Sequence, residues 1–74
     1  MDKLLEILNG VKDSVDYENE SALWDDGLID SLDLMEIISE LEDAYDIEIG
    51  MDDIIPENFN TAAAMLALVE KLQG

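Results

Sequence analysis

In the stretch GLIDSLDLME, residues 27–36, a serine follows a glycine and an aspartate and opens a run with a strong helical pattern. A hydroxyl in that setting serves either as the cap of the helix or as a handle. Other chemistry is sparse. The chain has no cysteine and no histidine, which removes disulfides, thiolate metal sites, the usual general base and every Ser-His or Cys-His pair. The neighbouring carboxylates Asp25 and Asp26 could in principle do acid-base work, but no apolar cavity is evident to raise one pKa. They read as a solvated acidic turn, and no metal site is assigned. A calcium loop set with Gly27 at its sixth position puts Ala22 at the first, Trp24 at the third and Asp33 at the twelfth. Two oxygen ligands are then missing and the closing bidentate Glu is a shorter Asp.

The elements that must position Ser31 come from a short chain. Its 74 residues make one domain, 1–74, and bury only about 60% of the surface the unfolded chain exposes, so a deep water-excluded cleft is not expected. Hydrophobic residues nevertheless form 49% of the chain, enough for a small aliphatic core and unlike a disordered acidic tail. Twenty acidic residues face only Lys3, Lys12 and Lys71, giving a net charge of −17. Nucleic acid and anionic membrane are poor partners for that surface, whereas a basic protein face is attracted to it, with an on-rate that falls as salt rises. The same charge makes the fold self-repelling at low salt. The start MDKLLEILNG has neither a basic n-region nor a long apolar core, so a cytoplasmic, soluble protein without membrane insertion is expected.

Leu4, Ile7, Leu8, Val11 and Val15 share one helical face and predict a first helix over about 2–15, weakened by Gly10. Residues 16–30 lack a period and read as a long loop pinned by Leu23, Trp24, Leu28 or Ile29. A second helix over about 31–45 places Leu34, Ile37, Ile38, Leu41 and Tyr45 on its core face. Ile47 and Ile49 alternate like a strand with nothing to pair with, and a short helical turn over 51–55, stopped by Pro56, is the better reading. The last helix starts at Asn60 or Thr61, either of which can cap it, and buries Met65, Leu68, Val69 and Leu72. The expected fold is all-α, a small bundle of three main helices plus one short helix.

With Asp30 as N-cap and Asp33 as the acid of a capping box, the second helix needs no cap from Ser31, whose hydroxyl can then project into solvent. Ser31 as its own cap remains the alternative. At about 100° per residue, Leu32, Met35 and Ser39 fall opposite the core face, with Glu36, Glu42 and Asp43 on the same outward side. That surface reads as a docking face for a basic, partly apolar partner, against the simpler reading of a solvated acidic face with stray apolar residues.

The run GLIDSLDLMEIISELEDAYDIEI resembles the heart of the acyl carrier proteins, and the similarity extends over the long first loop and the Thr-opened last helix. The resemblance implies that Ser31 carries a covalent 4′-phosphopantetheine derived from coenzyme A and attached by a separate phosphopantetheinyl transferase, with Asp30 helping to place the donor. It implies a stand-alone, monomeric carrier whose cargo rides as a thioester and which catalyses nothing. Leu32, Met35, Glu36, Ser39, Glu42 and Asp43 would meet partners: the transferase, a loading ligase, and downstream synthases or transferases with basic docking surfaces. Gly27-Leu-Ile-Asp-Ser is one residue longer between glycine and serine than the usual fatty-acid pattern and similar to D-alanyl carriers, although Leu32-Asp33 follows the serine as in the fatty-acid type. An aminoacyl or specialised acyl cargo is preferred on that basis. A non-covalent acidic docking module is the rival, since it would survive Ser31→Ala.

Overall fold

Three amphipathic stretches and a long polar segment leave the chain few ways to bury its leucines and isoleucines. The computed structural model describes residues 2–74, with helices α1 (Asp2–Val11), α2 (Ser31–Tyr45), α3 (Pro56–Phe59) and α4 (Ala62–Gln73), and a 3₁₀ turn at Met51–Asp53. No strand occurs among the described residues, and none of their helices is long and apolar enough to cross a membrane. Leu4 and Leu8 of α1, Leu34, Ile37, Ile38 and Leu41 of α2, and Met65, Leu68 and Val69 of α4 meet in one core. Ile47 and Ile49 add to that core from irregular chain rather than from a strand.

The first helix is shorter than its periodicity predicts. The regular ladder extends only to Lys12, whose amide donates to the Leu8 carbonyl at 3.0 Å. The buried Tyr17 then donates its hydroxyl to the Lys12 carbonyl at 2.7 Å, satisfying one of the carbonyls that a helix end leaves open. Val15 stays in helical phase with the core but packs against it from outside the helix. Burial first, and then the charges of Asp33 and Asp13, push the Tyr17 phenol above its ordinary value of 10.0, so it remains a donor throughout the neutral range.

Pro56 is also corrected: it opens a helix instead of stopping one. The 3₁₀ turn closes with Ile54, and Pro56 occupies the first turn of α3, where its missing N–H and fixed φ do no harm. Of the two candidate caps of α4, Thr61 is used: its hydroxyl accepts from the Ala64 amide at 2.9 Å.

All three lysines are tied inside the molecule. Lys3 donates to the Ala44 carbonyl at 3.0 Å and sits 4.8 Å from the Tyr45 ring centroid, joining the start of α1 to the end of α2. Lys12 joins the end of α1 to the start of α2, and Lys71 on α4 lies 3.5 Å from the carboxylate of Asp53. The Lys3 and Lys12 contacts show α1 antiparallel to α2, with the end of α1 beside the turn that leads into α2.

Candidate functional site

Asp30 leaves the loop in an extended conformation, φ −97° and ψ −174°, and its carboxylate accepts from the Asp33 amide at 2.9 Å. Asp33 answers by accepting from the Asp30 amide at 3.3 Å, completing the reciprocal box. Ser31 therefore sits at the first helical position with the capping already done on either side of it, and it is exposed. Between the two readings of this serine, the geometry favours a free hydroxyl.

The Asp33 amide is the main reason that the Asp30 carboxyl lies below its ordinary value of 3.8, with desolvation opposing and the Leu32 amide and the charge of Lys12 assisting. Because the folded value is depressed, the cap's contribution is complete above 3.8 and is lost only as the pH falls below that through the folded value. An NMR titration of the Asp33 amide is expected to show its capping shift intact at pH 5 and lost on an acid limb centred below 3.8. A midpoint at or above the ordinary value would show that this carboxylate does not hold the helix.

The segment leading to Ser31 is fastened from behind. Gly27 takes a positive φ of 74°, a conformation that glycine adopts without strain, and its amide closes a turn on the Trp24 carbonyl at 3.0 Å. Leu23 and Ile29 are fully buried, with the Ile29 amide on the Leu23 carbonyl at 3.1 Å. Trp24 and Leu28 pack against the core as partly buried residues. Asn60, expected as a possible helix cap, instead accepts from the Trp24 and Asp25 amides, each at 3.0 Å, and donates to the Asp25 carboxylate at 3.0 Å. This turn has no helix immediately before it, unlike a calcium loop, since α1 ends at Val11.

On the outer face of α2, Leu32 is 76% and Met35 62% exposed, with Glu36, Ser39 and Asp43 exposed beside them. Glu42 departs from this group. It is half-buried, and its carboxylate accepts from the Ile49 amide at 2.9 Å, fixing the exit from α2. At about 100° per residue Glu42 lies next to Ile38, on the border of the core stripe rather than opposite it. Sequence reasoning did not single out Met51, 89% exposed, or Ile55, 38% exposed, on the connection between α2 and α4. Their isolation from any helical period hid them.

A groove of about 610 Å³ runs between α1, the long loop and the start of α4, lined by Leu5, Tyr17, Glu20, Thr61, Ala62 and Ala63 among others. None of its lining residues belongs to α2. The arrangement at Ser31 itself is an exposed, uncommitted hydroxyl on a braced turn at a positive helix end, which fits a phosphate-linked arm extending into solvent.

A family model described as the phosphopantetheine attachment site matches residues 3–69. The protein named "Probable acyl carrier protein PigG" of Serratia sp. is 32% identical over 69 residues, covering 93% of this chain and 77% of that protein. A D-alanyl carrier protein of Streptococcus equi subsp. zooepidemicus is 32% identical over 66 residues, covering 89% of this chain and 78% of its own length. An acyl carrier protein of Streptococcus pyogenes reaches 44% identity over 48 residues, 65% of this chain and 60% of that protein. No solved structure matches the chain at a significant level. With the helical bundle, the braced serine turn and these likenesses together, the chain belongs to the acyl carrier protein family and tethers an acyl or aminoacyl cargo through covalently attached 4′-phosphopantetheine.

Proposed function

We propose that Ser31 is the attachment residue. The observation that carries this is the Asp30–Asp33 box, which caps α2 and leaves the intervening hydroxyl exposed. When bound, the arm supplies the thiol that the chain lacks, and the cargo is held there as a thioester. Asp30 would help to place the incoming donor, and the protein presents cargo to other enzymes while catalysing nothing itself.

The partners are a phosphopantetheinyl transferase, a loading ligase and downstream enzymes carrying basic, partly apolar docking faces, all working with a cytoplasmic, monomeric carrier. Leu32 and Met35 supply the apolar contact, and Glu36, Ser39 and Asp43 the polar rim, with Glu42 contributing from the edge while it holds Ile49. An aminoacyl or specialised acyl cargo is supported by the longer Gly27-to-Ser31 spacing and by the likeness to a D-alanyl carrier protein.

The test is the intact mass of the purified protein after incubation with coenzyme A, magnesium and a promiscuous phosphopantetheinyl transferase. The parent is expected to gain one phosphopantetheine and Ser31→Ala none. A mutant that still gains the arm would move the site elsewhere. A parent that gains nothing under conditions that modify a known carrier would favour the non-covalent docking module.

A further inference from the structure

One of the three lysines stands where a structural tie would touch the chemistry. Lys12 follows the last residue of α1, and its ammonium donates to the Leu28 carbonyl at 2.8 Å while lying 3.4 Å from the Asp33 carboxylate. That carboxylate is the same one that accepts from the Asp30 amide. Lys12 is anchored from its own backbone too, through the Tyr17 hydroxyl on its carbonyl. An ordinary surface ion pair contributes little. Here the shorter bond goes to a backbone carbonyl three residues before Ser31, and the contact on Asp33 neutralises one of two carboxylates facing each other across the first turn of α2.

We propose that Lys12 is a positioning residue for the attachment serine: by holding Leu28 and Asp33 together it fixes the chain entering α2, so that Asp30 and Ser31 meet the modifying enzyme in one arrangement. The proposal rests on the reading of Ser31 as the attachment site. Without Lys12 the turn samples other arrangements, and the transferase binds only the competent fraction. Apparent affinity then falls in proportion to that fraction, while turnover of the bound carrier is unchanged.

The experiment compares the apo parent, Lys12→Met and Lys12→Arg as substrates of one phosphopantetheinyl transferase, with amide hydrogen exchange measured on each. Lys12→Met, which keeps an apolar stem, is expected to raise KM for the carrier about tenfold with kcat unchanged, as when about nine-tenths of the molecules leave the competent arrangement. Lys12→Arg is expected to return KM to within about twofold of the parent, since it restores a cationic donor. Exchange is expected to speed up at the Ile29 and Asp33 amides of Lys12→Met while α4 keeps its parental protection. A parental KM in Lys12→Met, a rise that arginine does not reverse, or faster exchange spread evenly into α4 would overturn the proposal. A parent that gains no phosphopantetheine at all overturns the Ser31 reading beneath it, and that control separates the two failures.

Discussion

Phe59→Ala is expected to abolish a cooperative thermal transition or to lower its midpoint by about 12–40 °C, read by far-ultraviolet circular dichroism. Phe59 is fully buried, and Trp24 meets it edge-on, with ring centroids 6.3 Å apart and planes at 75°. It ends α3, a helix of four residues that has no other fully buried side chain to hold it. Truncating a buried phenylalanine costs about 3–5 kcal/mol. A domain of this length has only about 4–11 kcal/mol to lose, at the usual 0.05–0.15 kcal/mol per residue. One kcal/mol moves the midpoint of so small a domain by about 4–8 °C, which gives the range expected. Trp24 loses its partner in the same step, so its fluorescence should shift to the red even below the transition. A midpoint within a few degrees of the parent would mean that this ring is not what joins the long loop to α3.

The second large effect is expected at Asn60→Ala. Its side chain accepts from two consecutive backbone amides, Trp24 and Asp25, and donates to the Asp25 carboxylate. Alanine leaves the half-buried Trp24 amide without a partner, while the Asp25 amide, being exposed, turns to water. An unmade bond of the first kind costs about 1–3 kcal/mol, so a fall of about 4–24 °C in midpoint is expected. The Leu23 amide bond to the Asn60 carbonyl survives, since it uses the backbone. Amide exchange should therefore rise at Trp24 and Asp25 more than at Leu23. Equal acceleration at all three would show that the segment opens as a unit and that the side chain is not its latch.

Much of the second helix can be read from residue order alone. Asp30, Asp33 and the spacing of Leu34, Ile37, Ile38 and Leu41 set its start and its buried face, and the observed Ser31–Tyr45 agrees with the expected bounds. That works because capping and periodicity are local. The misreadings arise where helical period and cap type do not decide by themselves. Val15 extends the helical period of α1, but the Tyr17 hydroxyl takes the Lys12 carbonyl and the regular helix ends at Val11. The sequence reading groups Glu42 with the outward side, and only the return of the chain at Ile49 shows what its carboxylate does. By residue type Asn60 and Thr61 are equal candidates to cap α4, and the Trp24–Asp25 turn, 36 and 35 residues away, claims Asn60. Pro56 stops a helix or starts one according to the side from which the helix comes, and a single sequence is silent on that. Ser31 is legible in the sequence as a choice between two roles, and the Asp30–Asp33 box shows that the cap does not need its hydroxyl.

The internal use of every lysine changes what amine chemistry does to this protein. Acetylation, or coupling of an amine-reactive dye or resin, would ordinarily decorate a surface. Here each such event removes a contact between two segments, a hydrogen bond at Lys3 or Lys12 and an exposed ion pair at Lys71, and makes the net charge still more negative. At Lys12 it would free the turn that bears Ser31. A preparation labelled through its lysines would therefore report on a loosened carrier, whereas labelling through the thiol of the arm would leave all three ties in place.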